Sequence, residues 1–145
     1  EMREEALDRH STTAAKTLAL LVEQGIRITI DNWGSGESSL SRLTAVPLHS
    51  VKLHREFLAG LEHSPRKQEL VGAVVNLAHS IRMQVSAEGV ESPEMLRRLQ
   101  TQRFDAAQGY FIGRPMPAGR LSPILVAARR RELAAAQEPL ASRSA

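Results

Sequence analysis

The sequence predicts an α/β fold in which parallel strands alternate with helices. Short β-branched runs, such as Ile26-Arg27-Ile28-Thr29-Ile30, alternate with longer segments of helical apolar spacing. The connections between these runs are long enough to return the chain to the same end of a sheet, as parallel pairing requires. Acidic, amide and lysine side chains recur where the strands end, the edge at which such folds place their ligands. An open doubly wound sheet, with helices on both faces, is the second architecture compatible with this pattern.

A first strand is expected at residues 1–3. Residues 6–24 read as a helix, with Ala14, Leu18, Leu21 and Val22 at helical spacing and Gly25 at its C-cap. The best strand follows at 26–30 and stops at the polar, glycine-rich Asp31-Asn32-Trp33-Gly34-Ser35-Gly36. A short helix is expected from Ser38 to Leu43. A strand at 50–53 leads into a helical turn through Phe57 and Leu61. A long helix at 65–82 has Pro65 as its first residue and Leu70, Val74, Leu77 and Ile81 as its inner face. The next strand, 84–87, runs into Glu88-Gly89. Ser92-Pro93-Glu94 opens another helix with an N-cap and an N1 proline. A strand at 106–110 precedes Gly113-Arg114-Pro115, and a last helix starts near Ala118.

Composition bounds the function. The 145 residues, 42% of them apolar, suffice for one domain with a real core. The absence of cysteine excludes a disulfide scaffold, a thiolate zinc site and a cysteine nucleophile. No apolar run approaches the roughly 18 residues needed to span a bilayer, and Glu1-Met2-Arg3-Glu4-Glu5 is too charged for a secretory signal. A soluble protein of a reducing compartment is the expectation. The net charge of +3 is concentrated late: from Ala127 onward four arginines face two glutamates, leaving about +1 for the rest. With only five Phe, Trp and Tyr residues there is little to stack bases on, and nucleic acid is not an expected partner. The Arg129-Arg130-Arg131 triplet reads as a solvated helix end.

The strand ends carry Glu4, Asp31 with Asn32, Lys52, Glu88 and Gln108. Three carboxylates and an amide converging at one sheet edge match the oxygen donors that magnesium or manganese takes. A lysine beside them, Lys52, suits the holding of a water or the offsetting of phosphate charge during in-line attack on a phosphodiester. Gly34-Ser35-Gly36 is a candidate phosphate cradle at a helix N-terminus. His49 and His54 flank the Lys52 strand on opposite faces, so a shared metal is not expected.

These segments resemble the EAL-domain phosphodiesterases of bacterial cyclic di-GMP signalling. Asp31-Asn32-Trp33-Gly34-Ser35-Gly36-Glu37-Ser38-Ser39-Leu40 is similar to the family's D-D-F-G-T-G-Y-S-S-L. Val51-Lys52-Leu53-His54-Arg55 is similar to L-K-I-D-R, and Ala87-Glu88-Gly89-Val90-Glu91 to A-E-G-V-E. Gln108-Gly109-Tyr110-Phe111-Ile112-Gly113-Arg114-Pro115 resembles Q-G-Y-x-x-G-R-P, and Glu1-Met2-Arg3-Glu4 resembles E-x-T-E. The order and spacing hold over residues 1–121, a partial EAL domain followed at 122–145 by a terminal helix and an Ala/Arg/Ser-rich tail.

The resemblance implies the second half of a TIM-like barrel with its site at the C-terminal face. It assigns Glu4, Asp31, Asn32 and Glu88 to a metal site for Mg2+ or Mn2+, and Lys52 and Glu88 to catalysis. Gln108, Glu91, Gly34, Ser35, Gly36, Arg114 and Pro115 fall on substrate-binding positions. The implied reaction hydrolyses cyclic di-GMP to linear pGpG in the bacterial cytoplasm. The sequence departs from the pattern at Asn32, where the family has a second aspartate, at His54 for an aspartate and at Glu37 for a tyrosine. The E-A-L glutamate of an earlier strand lies outside this chain. An impaired site is therefore expected, the alternative being a non-catalytic module that binds cyclic di-GMP or a protein. A half-barrel is also expected to expose Ile28, Ile30, Val51 and Val85 and to self-associate or pair with the upstream half.

Overall fold

A computed structural model describes residues 1–3, 12–35 and 47–137. The chain divides into two units, Glu1–Gly113, which holds the sheet, and Arg114–Ala145. The first contains β1 (Met2–Arg3), α1 (Thr12–Glu23), β2 (Thr29–Trp33), β3 (Ser50–Leu53), α2 (Arg55–Leu58), α3 (Pro65–Ser80), β4 (Gln84–Glu88), α4 (Pro93–Thr101) and β5 (Ala106–Gln108). Every strand pairing is parallel and the spatial order is β1-β2-β3-β4-β5. Each crossover thus advances one strand in one direction. That is barrel winding; a doubly wound sheet reverses its strand order partway.

Period-two alternation divides the sheet into an apolar and a polar face. Ile30, Val51, Leu53, Val85 and Ala87 are buried in the core, with Val71, Val75 and Ala78 of α3 and Met95 and Leu99 of α4. The intervening residues Thr29, Asp31, Ser50, Lys52, Ser86 and Glu88 take the other face. The expected exposure of Ile28, Ile30, Val51 and Val85 is therefore corrected: all four are buried. The layer that a half-barrel leaves bare is polar, so these residues give no basis for self-association.

Two further expectations change. The second strand runs from Thr29 to Trp33, three residues later than the alternating run. Its neighbour β3 begins at Ser50, which pairs with Thr29, whereas Ile26 is half exposed and outside the ladder. The inner face of α3 is Val71, Val75 and Ala78; of the expected row Val74 is partly buried and packs against the core, whereas Leu70, Leu77 and Ile81 are exposed. The bulkier row is rotated outward by about one residue, roughly 100°. The last strand also ends early, because the Ile112 and Gly113 amides fold back onto the Gly109 carbonyl.

The helices start as the sequence indicates. Ser64 and Ser92 cap α3 and α4 by accepting from the Lys67 and Met95 amides, each with proline in the first turn. His54 caps α2, its Nδ1 accepting from the Glu56 amide at 3.4 Å. In the second unit α5 (Ala118–Gln137) carries Pro123 within it and exposes Leu121, Ile124, Leu125 and Val126. Among the described residues no helix is long and apolar enough to cross a membrane. The helix expected from Ser38 to Leu43 lies outside the described residues.

Candidate active site at the strand ends

Parallel pairing brings Arg3, Trp33, Leu53, Glu88 and Gln108, the last residues of the five strands, to one edge of the sheet. Arg3 is in register with Asp31, Lys52 with Ser86, and Glu88 with Gln108. Between Ile30 and Trp33 the β2–β3 register shifts, and Asn32 takes a left-handed conformation, φ 59°. Asn and Asp tolerate that region better than other non-glycine residues. The residue type at position 32 therefore suits the bulge whichever of the two stands there.

Lys52 is the centre of the cluster. Only 9% of it is exposed, yet its Nζ donates to Glu1 Oε2 at 2.7 Å and stands 3.3 Å from Asp31 Oδ1. Burial works against its charge. The hydrogen bond to Glu1 and the nearby Asp31 carboxylate outweigh that penalty and raise its pKa above the ordinary lysine value. Thr29 and Ser50 meet one row below through a 2.6 Å hydroxyl contact.

Among the described residues, the carboxylate oxygens Asp31 Oδ1 and Glu88 Oε2 are buried without a hydrogen-bond partner. The Lys52–Asp31 contact is an ion pair without hydrogen-bond alignment. A buried carboxylate oxygen left unmatched is costly, so Glu88 Oε2 points to a cation or donor beyond the described residues, whereas Asp31 Oδ1 already faces the Lys52 cation. Among the described residues no three acidic or histidine side chains are already grouped tightly enough to hold one ion. The donors are nevertheless hard anionic oxygens, the type that magnesium and manganese take. The residues present fit such an ion.

Of the sequence-derived site residues, Asp31, Asn32, Lys52, Glu88 and Gln108 lie at this edge. Gly34 and Ser35 follow β2 directly; Gly34 (φ 90°) is in the glycine region, and a Cβ there would meet the Phe57 side chain at 2.7 Å. Glu91 is exposed in the loop after β4. Arg114 and Pro115 are exposed and belong to the second unit. Glu4, Gly36 and Glu37 lie outside the described residues. The acid that β1 brings to Lys52 is Glu1, which the sequence reading passed over. Strand parity is the signal that finds it: Glu1 and Arg3 share one face, and Met2 packs against the core on the other.

A one-way parallel sheet with acids and a lysine at its C-terminal edge defines the C-terminal part of a (β/α)8 enzyme-type barrel. Residues 1–115 match the family model described as EAL domain, and the chain belongs to the EAL-domain family. It is similar to the cyclic di-GMP phosphodiesterase NbdA of Pseudomonas aeruginosa, at 35% identity over 89% of this chain and 16% of NbdA. The solved EAL domain of Mycobacterium smegmatis DcpA superposes with a TM-score of 0.78 at 31% identity, covering 86% of this chain and 56% of that one. Klebsiella pneumoniae BlrP1, solved in a manganese/cyclic di-GMP complex, superposes at 0.60 with 34% identity over 66% of this chain and 24% of its own. The chain thus spans about a sixth of the length of NbdA and about half of the DcpA domain.

Proposed function

We propose that this chain supplies the C-terminal part of a cyclic di-GMP phosphodiesterase site that works slowly because Asn32 replaces an acid. The observation that carries the reading is the buried Glu88 Oε2, without a hydrogen-bond partner among the described residues, at the strand edge that also holds the Lys52–Asp31 ion pair. Strands supplied by the rest of a longer protein would complete the sheet beyond β1 and β5.

In the proposed reaction a water oxygen attacks one phosphorus of cyclic di-GMP, the P–O3′ bond breaks and the 3′-oxygen leaves as a hydroxyl, giving linear pGpG. Lys52 Nζ, fixed by Glu1 and Asp31, offsets the charge that builds on the phosphoryl oxygens. Glu88 Oε2 accepts a hydrogen bond from the attacking water and orients it. Gln108, beside Glu88 in register, offers an amide to the nucleotide. Asp31 and Glu88, with the carboxylate of Glu1 or Glu4 and the Asn32 amide, would hold magnesium or manganese, which when bound supplies Lewis-acid activation and charge neutralisation. The BlrP1 manganese complex supports this cofactor class. By the same resemblance the protein works in the bacterial cytoplasm.

Asn32 favours the second reading, a module that binds cyclic di-GMP without turnover, since an amide brings no negative charge to a second ion. The deciding experiment incubates the full-length protein with cyclic di-GMP and Mn2+ and measures pGpG, with Glu88→Gln as control. Slow formation that Glu88→Gln abolishes supports the phosphodiesterase. Binding of cyclic di-GMP with no pGpG from either form supports the module.

A further inference from the structure

We infer that Glu62 is a positioning residue for Glu88, acting through Ser92; the inference rests on the reading of Glu88 as a site carboxylate. The β3–β4 ladder ends at Leu53↔Ala87, one residue short of Glu88, whose own strand pairing is with Gln108 on the opposite flank. Past Glu88 the chain turns through Gly89 (φ 78°) into the loop that leads to α4. How firmly Glu88 is aimed therefore depends on how that loop is held from both sides.

The β5 side is held by backbone. The Val90 amide donates to the Gln108 carbonyl and the Val90 carbonyl accepts from the Phe111 amide, both at 3.0 Å, with the Val90 side chain fully buried. The β3 side depends on side chains. Gly89 lies so close to Arg55 that an added Cβ would come within 2.6 Å of Arg55 Cβ. Three residues on, Ser92 Oγ donates to Glu62 Oε1 at 2.5 Å.

The direction of this last bond is fixed. Ser92 Oγ already accepts from the Met95 amide at 3.0 Å, so its single proton goes to the carboxylate. A charged acceptor makes it a strong bond. Glu62 is itself firmly mounted, because the preceding Leu61 is fully buried and its carbonyl accepts from Gln68 Nε2 at 3.0 Å. The turn between α2 and α3 is thereby tied to the loop that follows the Glu88 strand. The Ser92 cap on α4 survives loss of Glu62, so a Glu62 variant releases the loop without unravelling the helix.

The test compares the full-length wild type with Glu62→Ala and Glu62→Gln. Hydrogen exchange over residues 88–92, Mn2+ affinity, and kcat and KM for pGpG formation are read together. Glu62→Ala is expected to exchange faster in that segment and to bind Mn2+ roughly 10-fold more weakly, the low end for an outer-shell partner. Its kcat should fall with KM unchanged. Glu62→Gln keeps an oxygen that accepts from Ser92 and should restore most of the difference. Wild-type exchange in Glu62→Ala, or a Glu62→Gln that fails as fully as Glu62→Ala, overturns the inference. A wild type that neither binds Mn2+ nor forms pGpG counts against the phosphodiesterase reading, and exchange in Glu62→Ala then decides the Glu62–Ser92 tie on its own.

Discussion

Replacing Lys52 by methionine keeps the aliphatic stem in its buried slot and deletes the charge between Glu1 and Asp31. Two unit charges 3.3 Å apart attract by roughly 5 kcal/mol at an effective dielectric near 20, before the cost of burying the lysine is taken off. Breaking a well-buried pair costs about 3–5 kcal/mol through the charge left behind. Here the stranded charge is chiefly Asp31, because Glu1 is 56% exposed and is taken up by water. The expected loss is therefore smaller, on the order of 1–3 kcal/mol. Urea unfolding followed by the fluorescence of Trp33, buried two residues from Asp31, reads it directly. The pH dependence has a definite sign. A folded pKa above 10.5 means that the contribution of Lys52 is complete below pH 10.5 and is lost as pH rises through the raised value. In alkali the wild type should thus converge on Lys52→Met as pH rises above 10.5 through the raised value. A Lys52→Met protein as stable as wild type at pH 7 would refute the compensating role given to Lys52.

Asp105 gives the opposite slope. Burial opposes its charge, but hydrogen bonds from the Val85 amide and His79 lower its pKa below 3.8, so stability present above that value should fall as pH drops through the lowered pKa. Asp105→Asn should lose this slope in acid unfolding scans. Leu99→Ala, at a site 1% exposed, should cost about 2–5 kcal/mol; Leu77→Ala, at 39% exposure, should stay within roughly 1 kcal/mol in the same denaturation assay. Gly89→Ala must hold a side chain at φ 78° against Arg55 and should cost on the order of 1–3 kcal/mol, visible as a lower thermal midpoint.

Much of this molecule is legible in the sequence, and the misses share one cause. Asp31, Lys52, Glu88 and Gln108 are readable because each sits in a short motif where a β-branched or apolar run stops, and a parallel sheet leaves such residues at one edge. The α4 start is equally plain in Ser92-Pro93, where a cap hydroxyl precedes an N1 proline. Periodicity is weaker at choosing between two apolar rows. Leu70, Val74, Leu77 and Ile81 repeat at the same helical spacing as Val71, Val75 and Ala78, and only packing against β4 selects the second row. The burial of Ile28, Ile30, Val51 and Val85 was open to the same ambiguity, because alternation says that two faces differ without saying which one the helices cover. Glu1 was missed because β1 has only two paired residues, too few to show parity without its neighbour.

The most direct test of the central claim is the rate of pGpG formation by the full-length protein and its Asn32→Asp variant, with saturating Mn2+ and cyclic di-GMP. An amide in place of a carboxylate removes one negative charge from the proposed metal cluster. Stabilisation of that type is worth about 3–4 kcal/mol, or roughly 10²–10³ in rate. The left-handed backbone at position 32 accepts aspartate as readily as asparagine, so the variant should fold as the wild type does. A slow wild type that Asn32→Asp accelerates is the predicted result; rapid turnover by the wild type, with no gain from aspartate, would contradict it.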